Sequence, residues 1–569
     1  MTGYLIDNSA SDWKPTWTLL WRTRLLASSQ ATLASLGGIT EAVILSLFAQ
    51  IALSVTTSQR EVDFPLLGGQ SSTGATFLLV LVILLRLLIG VVGAWVNGRL
   101  VFKIVVGIRE ELIQDYISSD FTAKDNFDSG ELQQLLVTFP SQGNGLIQGL
   151  TQSIAALFTV IAMFIYCLFE NVSMTLGLLL SGILMSLVLL PLRNLMRRYS
   201  ERAVRTQIDL STTVAESADM RTELEVFGAL EEQRSKLLSR SQTDGSIGQK
   251  IAISKQIFQP AYQTVTYLAV ALGLLILVTT SVADLNNLAP ILLMSLRMLT
   301  YGQVVQQGLL LVAQIGPFLR YLNDTAAGFR DRRQRVGGSP ISAFRQIRFR
   351  DVSFSYGEED DSRGIESVSF DLHEGESVGL IGPSGVGKST VLKLLIAMYE
   401  PSSGSIEIDD LPLSEIDPFH WRKTATYVPQ FPRVMSGSIS DNVRFFREGI
   451  SDLQVKNSLI DADVWDEIDA LPDGTDTLVG VGSHALSGGQ VQRIAIARAL
   501  VTAPSLIIMD EPTSAIDERS ENEVARAVAT AADKSTVLIA SHRPTILQHC
   551  SRLIDLGRSH GDEHDAEVR

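Results

Sequence analysis

Leu486-Ser487-Gly488-Gly489-Gln490 lies about a hundred residues after Gly382-Pro383-Ser384-Gly385-Val386-Gly387-Lys388-Ser389 and shortly before Leu506-Ile507-Ile508-Met509-Asp510-Glu511. The glycine-rich octapeptide follows Ser377 to Ile381, a short apolar run of strand type, and leads into Thr390 to Met398, a helical pattern. That strand–loop–helix setting is what a phosphate-binding loop requires. Its glycines let successive backbone N–H groups converge on the β- and γ-phosphates of a nucleotide. The helix start adds a favourable dipole, Lys388 a mobile positive charge and Ser389 a hydroxyl for Mg2+. A separate Ser-Gly-Gly-Gln loop makes sense only if a second copy closes over the nucleotide from the other side. The chain therefore reads as half of an ATP-driven machine.

The apolar run Leu506 to Met509 delivers two carboxylates with divided roles. Asp510 suits an outer-sphere partner of Mg2+, and Glu511 suits the general base that polarises an attacking water beside the γ-phosphate. A further strand, Ser535 to Ala540, ends at His542, placed to touch the γ-phosphate from the far side.

Composition divides the chain. Of 569 residues, 46% are hydrophobic, and these concentrate before about residue 315, so that part is expected to lie in lipid and the remainder to be a soluble α/β domain. Six stretches near 26–54, 75–98, 150–169, 173–192, 262–282 and 288–312 are long and apolar enough to cross a bilayer, which takes roughly 20 residues per span. Arg60 is the lone Lys or Arg of the implied external loops, whereas Arg193, Arg197, Arg198, Arg202 and Arg205 follow the fourth span. Positive-inside bias then puts both termini in the cytoplasm. Met1 to Asp12 lacks the basic flank and apolar core of a signal peptide. Trp13, Trp17 and Trp21 recur every four residues and suggest an interfacial elbow. Long polar segments, Arg109 to Gln133 and Tyr199 to Lys250, read as cytoplasmic extensions of the membrane helices, turning near Ser118–Asp125 and Glu216–Thr222. The net charge of −15 argues against a nucleic-acid partner. Cys167 and Cys550 can form neither a disulfide framework nor a CxxC metal site, and the tail from Ser559 to Arg569, with His560 and His564, reads as solvated.

The order of these motifs resembles that of the ATP-binding cassette superfamily, and their coupling to six preceding spans resembles its exporter half-transporters. The resemblance implies a multi-domain membrane protein, with an all-α six-helix transmembrane exporter domain and a C-terminal α/β P-loop ATP-binding cassette. The expected parts are an elbow (1–25), the transmembrane domain (26–325), a linker (326–340), the cassette (341–558) and an acidic tail (559–569). It further implies two chains enclosing two ATP molecules between opposed cassettes. Carried over by motif, Tyr356 in Phe354-Ser355-Tyr356-Gly357 resembles the aromatic that stacks on adenine. Thr390 closes the phosphate loop, and Gln430 in Tyr427-Val428-Pro429-Gln430 resembles the residue that senses Mg2+ and faces the membrane domain. Ser487, Gly488, Gly489 and Gln490 would grip the partner's γ-phosphate. Asp517 in Ser514-Ala515-Ile516-Asp517 resembles the loop linking the two sites. Two positions depart from the pattern: Val481 stands where an acidic residue is usual, and Val491 replaces a frequent basic residue after Gln490.

Charges within the spans bear on the cargo, since an Arg at a helix centre costs about 2.5–3.5 kcal/mol on insertion scales. Glu41, Arg86 and Arg297 therefore need reasons, and Tyr301 stands one turn beyond Arg297. Either Glu41 and Arg86 form an interhelical pair, or these groups receive an anionic headgroup. Leu84-Leu85-Arg86-Leu87 and Ser295-Leu296-Arg297-Met298 are also similar to segments of flippases of lipid-linked oligosaccharides, although the Pro that commonly follows the second Arg is missing. The expected function is ATP-driven export or flipping of an amphipathic, anionic lipid-linked substrate across the cytoplasmic membrane, by a homodimer. The alternatives are a multidrug or peptide exporter and, from another class, an ATP-gated channel or regulator.

Overall fold

The computed structural model describes residues 24–57, 61–64, 68–125, 127–170, 172–280, 288–356, 364–480, 486–514 and 516–557. The tryptophan elbow, Val481, and the tail with His560 and His564 lie outside them. The chain divides into two compact units, one of Met1–Ser119 with Ala123–Arg333 and the other of Asp120–Thr122 with Gln334–Arg569.

Among the described residues, six long helices dominate the first unit: α1 (Arg24–Thr57), α2 (Ser72–Ser118), α3 (Phe139–Glu170), α4 (Val172–Asp219), α5 (Leu230–Thr280) and α6 (Leu288–Asp331). The 47 residues of α2 make a rod about 70 Å long, more than twice the roughly 30 Å of a hydrocarbon core. One helix is thus long enough to be a span and its polar extension together, with no break between Arg86 and the polar end at Ser118. α6 likewise continues past residue 325 to Asp331. Three helical stretches among the described residues, Leu25–Phe48, Thr73–Ser118 and Ser129–Ile165, are long and apolar enough to cross a membrane.

Leu100, Ile104, Ile108 and Leu112 recur every fourth residue on α2 and build a buried stripe with Phe139 of α3 and Phe318 of α6. Below that stripe Asp115 is buried, and Arg330 of α6 and Arg333, two residues past its end, donate to its two oxygens at 2.6 and 3.0 Å. Small residues let backbones close up: a Cβ on Gly38 of α1 would lie 2.8 Å from the Thr159 Cα of α3. A π-helical turn, Gln134–Thr138, precedes α3.

The second unit is α/β. Among the described residues, five strands form a parallel sheet in the spatial order β8 (Arg552–Asp555), β3 (Ser377–Ile381), β7 (Thr536–Ala540), β6 (Leu506–Asp510) and β5 (Ala425–Val428). The three central strands, β3, β7 and β6, are almost wholly buried, as strands covered on both faces are, whereas the edge strands β8 and β5 are only partly so. An antiparallel sheet of β1 (Gln346–Ser355), β2 (Gly364–His373), β4 (Ser403–Ile408) and the short strand Leu411–Pro412 stands beside it. A core containing Ile347, Phe349, Leu372, Val391, Leu395 and Ile508 joins the antiparallel sheet and the parallel sheet to α7 (Lys388–Leu395), the helix that follows the phosphate loop.

Asp120–Thr122 belongs to this unit, where Phe121 meets Tyr399 edge-to-face with ring centroids 5.5 Å apart. Trp421, fully buried, donates from Nε1 to the Leu395 carbonyl at 2.7 Å and so anchors the last residue of α7. Trp421→Phe removes that donor and part of the ring. We expect a loss of about 2–3 kcal/mol in stability of the second unit, measured by thermal or denaturant unfolding of the purified chain.

Candidate functional site

Residue registers make the ends of the parallel strands level. Asp510 pairs with Ala540, Ala540 with Leu380, and Met509 with Val428. Whatever follows each strand therefore emerges at one edge, where the carboxyl ends of α/β sheets present ligand-binding groups. Gly382, Gln430, Glu511 and His542 all lie just beyond such ends.

In the phosphate loop Gly382, Gly385 and Gly387 have φ of 146°, 85° and 100°. Residues with a Cβ rarely adopt these values, so backbone geometry itself requires the glycines, and a Cβ on Gly387 would also collide with Ile365. Lys388 is buried. Its Nζ donates to the Gly382 carbonyl at 2.9 Å and to the Pro383 carbonyl at 3.2 Å, which holds the loop curled over the start of α7. Pro383, Ser384 and Val386 complete the turn, and the Val386 N–H donates to the Pro383 carbonyl.

Asp510, 4% exposed, accepts from Ser389 Oγ at 2.9 Å on one oxygen and from the Tyr427 hydroxyl at 3.0 Å on the other. Burial pushes its carboxyl pKa up, against the opposing pull of Ser389 and Tyr427. Burial and the neighbouring Asp510 together keep the Tyr427 phenol protonated by raising its own pKa. Ser389 and Asp510 thus present hard oxygen donors together, a set suited to Mg2+. Tyr427 was not singled out from sequence, though its place three residues before Gln430 on β5 puts it on the strand neighbouring β6.

Glu511 has φ of 41°, a left-handed conformation uncommon for a residue with a Cβ. Its backbone N–H still donates to the Ala540 carbonyl at 2.8 Å, so the sheet fixes the turn that aims its side chain. Gln430 Nε2 donates to one Glu511 oxygen at 2.9 Å, and His542 Nδ1 lies 3.5 Å from the other. The structure therefore brings together Ser389, Gln430, Asp510, Glu511 and His542. Tyr356 stands at the end of β1, half exposed. Its hydroxyl lies 3.0 Å from Thr390 Oγ1 and its ring meets Phe354 and Tyr399.

Leu486–Gln490 forms the head of another helix, α8 (Gly488–Leu500). Ser487 Oγ accepts from the Gln490 N–H and Gln490 Oε1 accepts from the Ser487 N–H, a reciprocal capping box. Gly489 faces Ser520, whose Oγ would lie 2.5 Å from an added Cβ. The Asp517 side chain caps α9 (Glu518–Lys534) by accepting from the Ser520 N–H at 2.8 Å, and this hydrogen bond holds its carboxyl below the usual range. Val491 continues α8, its N–H donating to the Ser487 carbonyl. Among the described residues, no hydrogen bond joins Ser487–Gln490 to the phosphate loop.

In the first unit Arg86 and Glu41 form an ion pair, and Arg86 Nη1 also donates to the Gly37 carbonyl at 2.7 Å. Tyr301 packs against the neighbouring cluster that includes Ala42 and Leu45 of α1 and Met298 of α6. The interhelical pair anticipated as one alternative is therefore formed. Arg297 is exposed and makes no ion pair among the described residues.

Residues 365–514 match the family described as ABC transporter, and residues 31–304 match the ABC transporter transmembrane region. An ATP-dependent lipid A-core flippase of Burkholderia pseudomallei (strain 1710b) is 39% identical over 227 residues, covering 40% of this chain and 38% of that protein. Its namesake in Thiobacillus denitrificans is 26% identical over 81% of this chain and 80% of its own. Mouse ATP-binding cassette sub-family B member 5 is 36% identical over 210 residues, 37% of this chain and 17% of the mouse protein. The chain thus spans well under half of several curated relatives that it matches. Among solved structures, a bacterial Atm1-family ABC exporter with ATP bound superposes with a TM-score of 0.75 at 22% identity, over 94% of this chain and 93% of that one, a likeness of fold. With the transmembrane region and the cassette carried on one polypeptide, the chain belongs to the ABC transporter family.

Proposed function

We propose that two copies of this chain form an ATP-driven exporter or flippase of the cytoplasmic membrane. Each ATP is bound by the phosphate loop of one copy and Leu486–Gln490 of the other. The observation that carries this reading is the level edge at which Ser389–Asp510 and Gln430–Glu511 stand, each pair 2.9 Å apart, while Ser487 heads a separate helix with no bond to them among the described residues.

Ser389 and Asp510 are the residues that would hold Mg2+, with Gln430 facing the same metal. The ion supplies charge neutralisation of the phosphates when bound. Glu511 orients and deprotonates the attacking water, Gln430 and His542 fix the carboxylate from its two oxygens, and Tyr356 receives the adenine. Closing of the cassettes on ATP and reopening after hydrolysis would drive alternating access in the membrane helices.

For the cargo, an amphipathic molecule with an anionic, lipid-linked head is the reading we favour. The names of the flippase relatives support it, as does Arg297, an exposed guanidinium on a membrane helix. Arg86 is engaged by Glu41 and Gly37, so in this reading the anionic group falls to Arg297, with Tyr301 one turn along the same helix. That same pairing of Arg86 favours, as a second reading, a drug or peptide exporter whose charges are structural.

Glu511→Gln keeps the side chain's size and loses the base. Hydrolysis should fall about 10²–10⁴-fold while ATP binding persists. Near-parental turnover, followed by phosphate release alongside nucleotide occupancy, would remove Glu511 from its role.

Chelation of divalent cations should abolish hydrolysis, and readdition of Mg2+ should restore it; turnover that persists in chelator would refute the assignment of Ser389 and Asp510 as a metal site. Arg297→Gln should erase stimulation of ATPase and flipping by anionic lipid-linked glycolipid in liposomes and spare basal ATPase. Parental flipping by this variant, or stimulation confined to uncharged hydrophobes, favours the second reading.

A further inference from the structure

Gln490 uses both ends of its amide. Oε1 accepts from the Ser487 N–H at 2.9 Å, and Nε2 donates to Glu467 Oε2 at 2.8 Å. The other Glu467 oxygen accepts from Arg493 Nη2 at 2.7 Å. The Arg493 side chain is only 2% exposed, and the same nitrogen lies 2.9 Å from Glu523 Oε2 on α9. Its Nε also approaches the Gly489 carbonyl at 3.4 Å, and Nη1 donates to the Asp463 carbonyl. Burial tends to raise the Glu467 pKa, but the bonds from Gln490 and Arg493 outweigh it and hold the carboxylate ionised.

One glutamate thereby ties the amide of Leu486–Gln490 to a buried arginine, and that arginine reaches the helix capped by Asp517. A second contact joins the same two places, since Gly489 lies against Ser520, the residue whose N–H Asp517 accepts. A buried guanidinium needs both its carboxylates, because losing one leaves charge uncompensated in a low-dielectric interior. The ties are local to the cassette and touch neither Lys388 nor Asp510.

We infer that Glu467 is a positioning residue that holds Leu486–Gln490 and the Asp517 turn as one rigid body, so that both meet the partner's nucleotide in a single motion. The inference rests on the shared-site reading above. It assigns to Glu467 the pre-ordering of the surface that closes on ATP, and no part in binding the nucleotide at the phosphate loop. Pre-ordering lowers the entropy lost on closure, so its removal weakens closure selectively.

The test uses the full-length chain in lipid, carrying Glu511→Gln so that closed dimers accumulate. ATP retained through gel filtration is measured against ATP concentration, and ADP affinity, which reports the phosphate-loop face, is measured by calorimetry. Glu467→Ala should raise the ATP concentration for half-maximal retention about tenfold, the equivalent of one charge-assisted hydrogen bond, with ADP affinity unchanged. Glu467→Gln, which keeps size and one of the two contacts, should fall between; it also carries the test if the alanine variant does not fold.

Retention unmoved in a folded variant overturns the inference, as does a parallel fall in ADP affinity. If the Glu511→Gln chain with Glu467 intact retains no ATP at any concentration, the shared-site reading fails and the role of Glu467 fails with it.

Discussion

Parallel register is the constraint on which the ATP site depends. With Asp510, Ala540 and Leu380 paired in line across three strands, chemistry held by segments far apart in sequence emerges at one height. The two carboxylates at the end of β6 are then divided by a change of backbone. Asp510 ends the strand in extended form and turns into the sheet edge, where Ser389 and Tyr427 hold it. Glu511 enters the left-handed region and turns the other way, toward Gln430 and His542. Neighbours in sequence thus acquire different partners.

Much of this was legible because the relevant signals are local. A glycine-rich run between an apolar strand and a helix can be read in a dozen residues, and so can the place of Asp510 and Glu511 at a strand end. The continuity of span and extension in α2 was readable too, since no Pro separates Arg86 from Ser118 and the polar segment stays helix-compatible.

What sequence did not yield depends on distance across elements. Nothing local marks Tyr427 as a partner of Asp510; the bond exists because β5 neighbours β6. Glu467 and Glu523 read as ordinary surface acids of helices until Arg493 is seen buried between them. In the membrane unit, whether Arg86 was paired or free could not be settled by composition, because Glu41 lies on another helix and only the crossing of α1 and α2 decides.

The bonds of Lys388 to its own loop carry a further consequence. Its ammonium is a fastener as well as a charge, because it clasps the Gly382 and Pro383 carbonyls. A side chain of the same length without the charge would therefore slacken the loop before any phosphate arrived. Damage measured at this position mixes two losses, of attraction and of shape, and only a free-loop readout such as amide exchange at Gly385 and Gly387 would separate them.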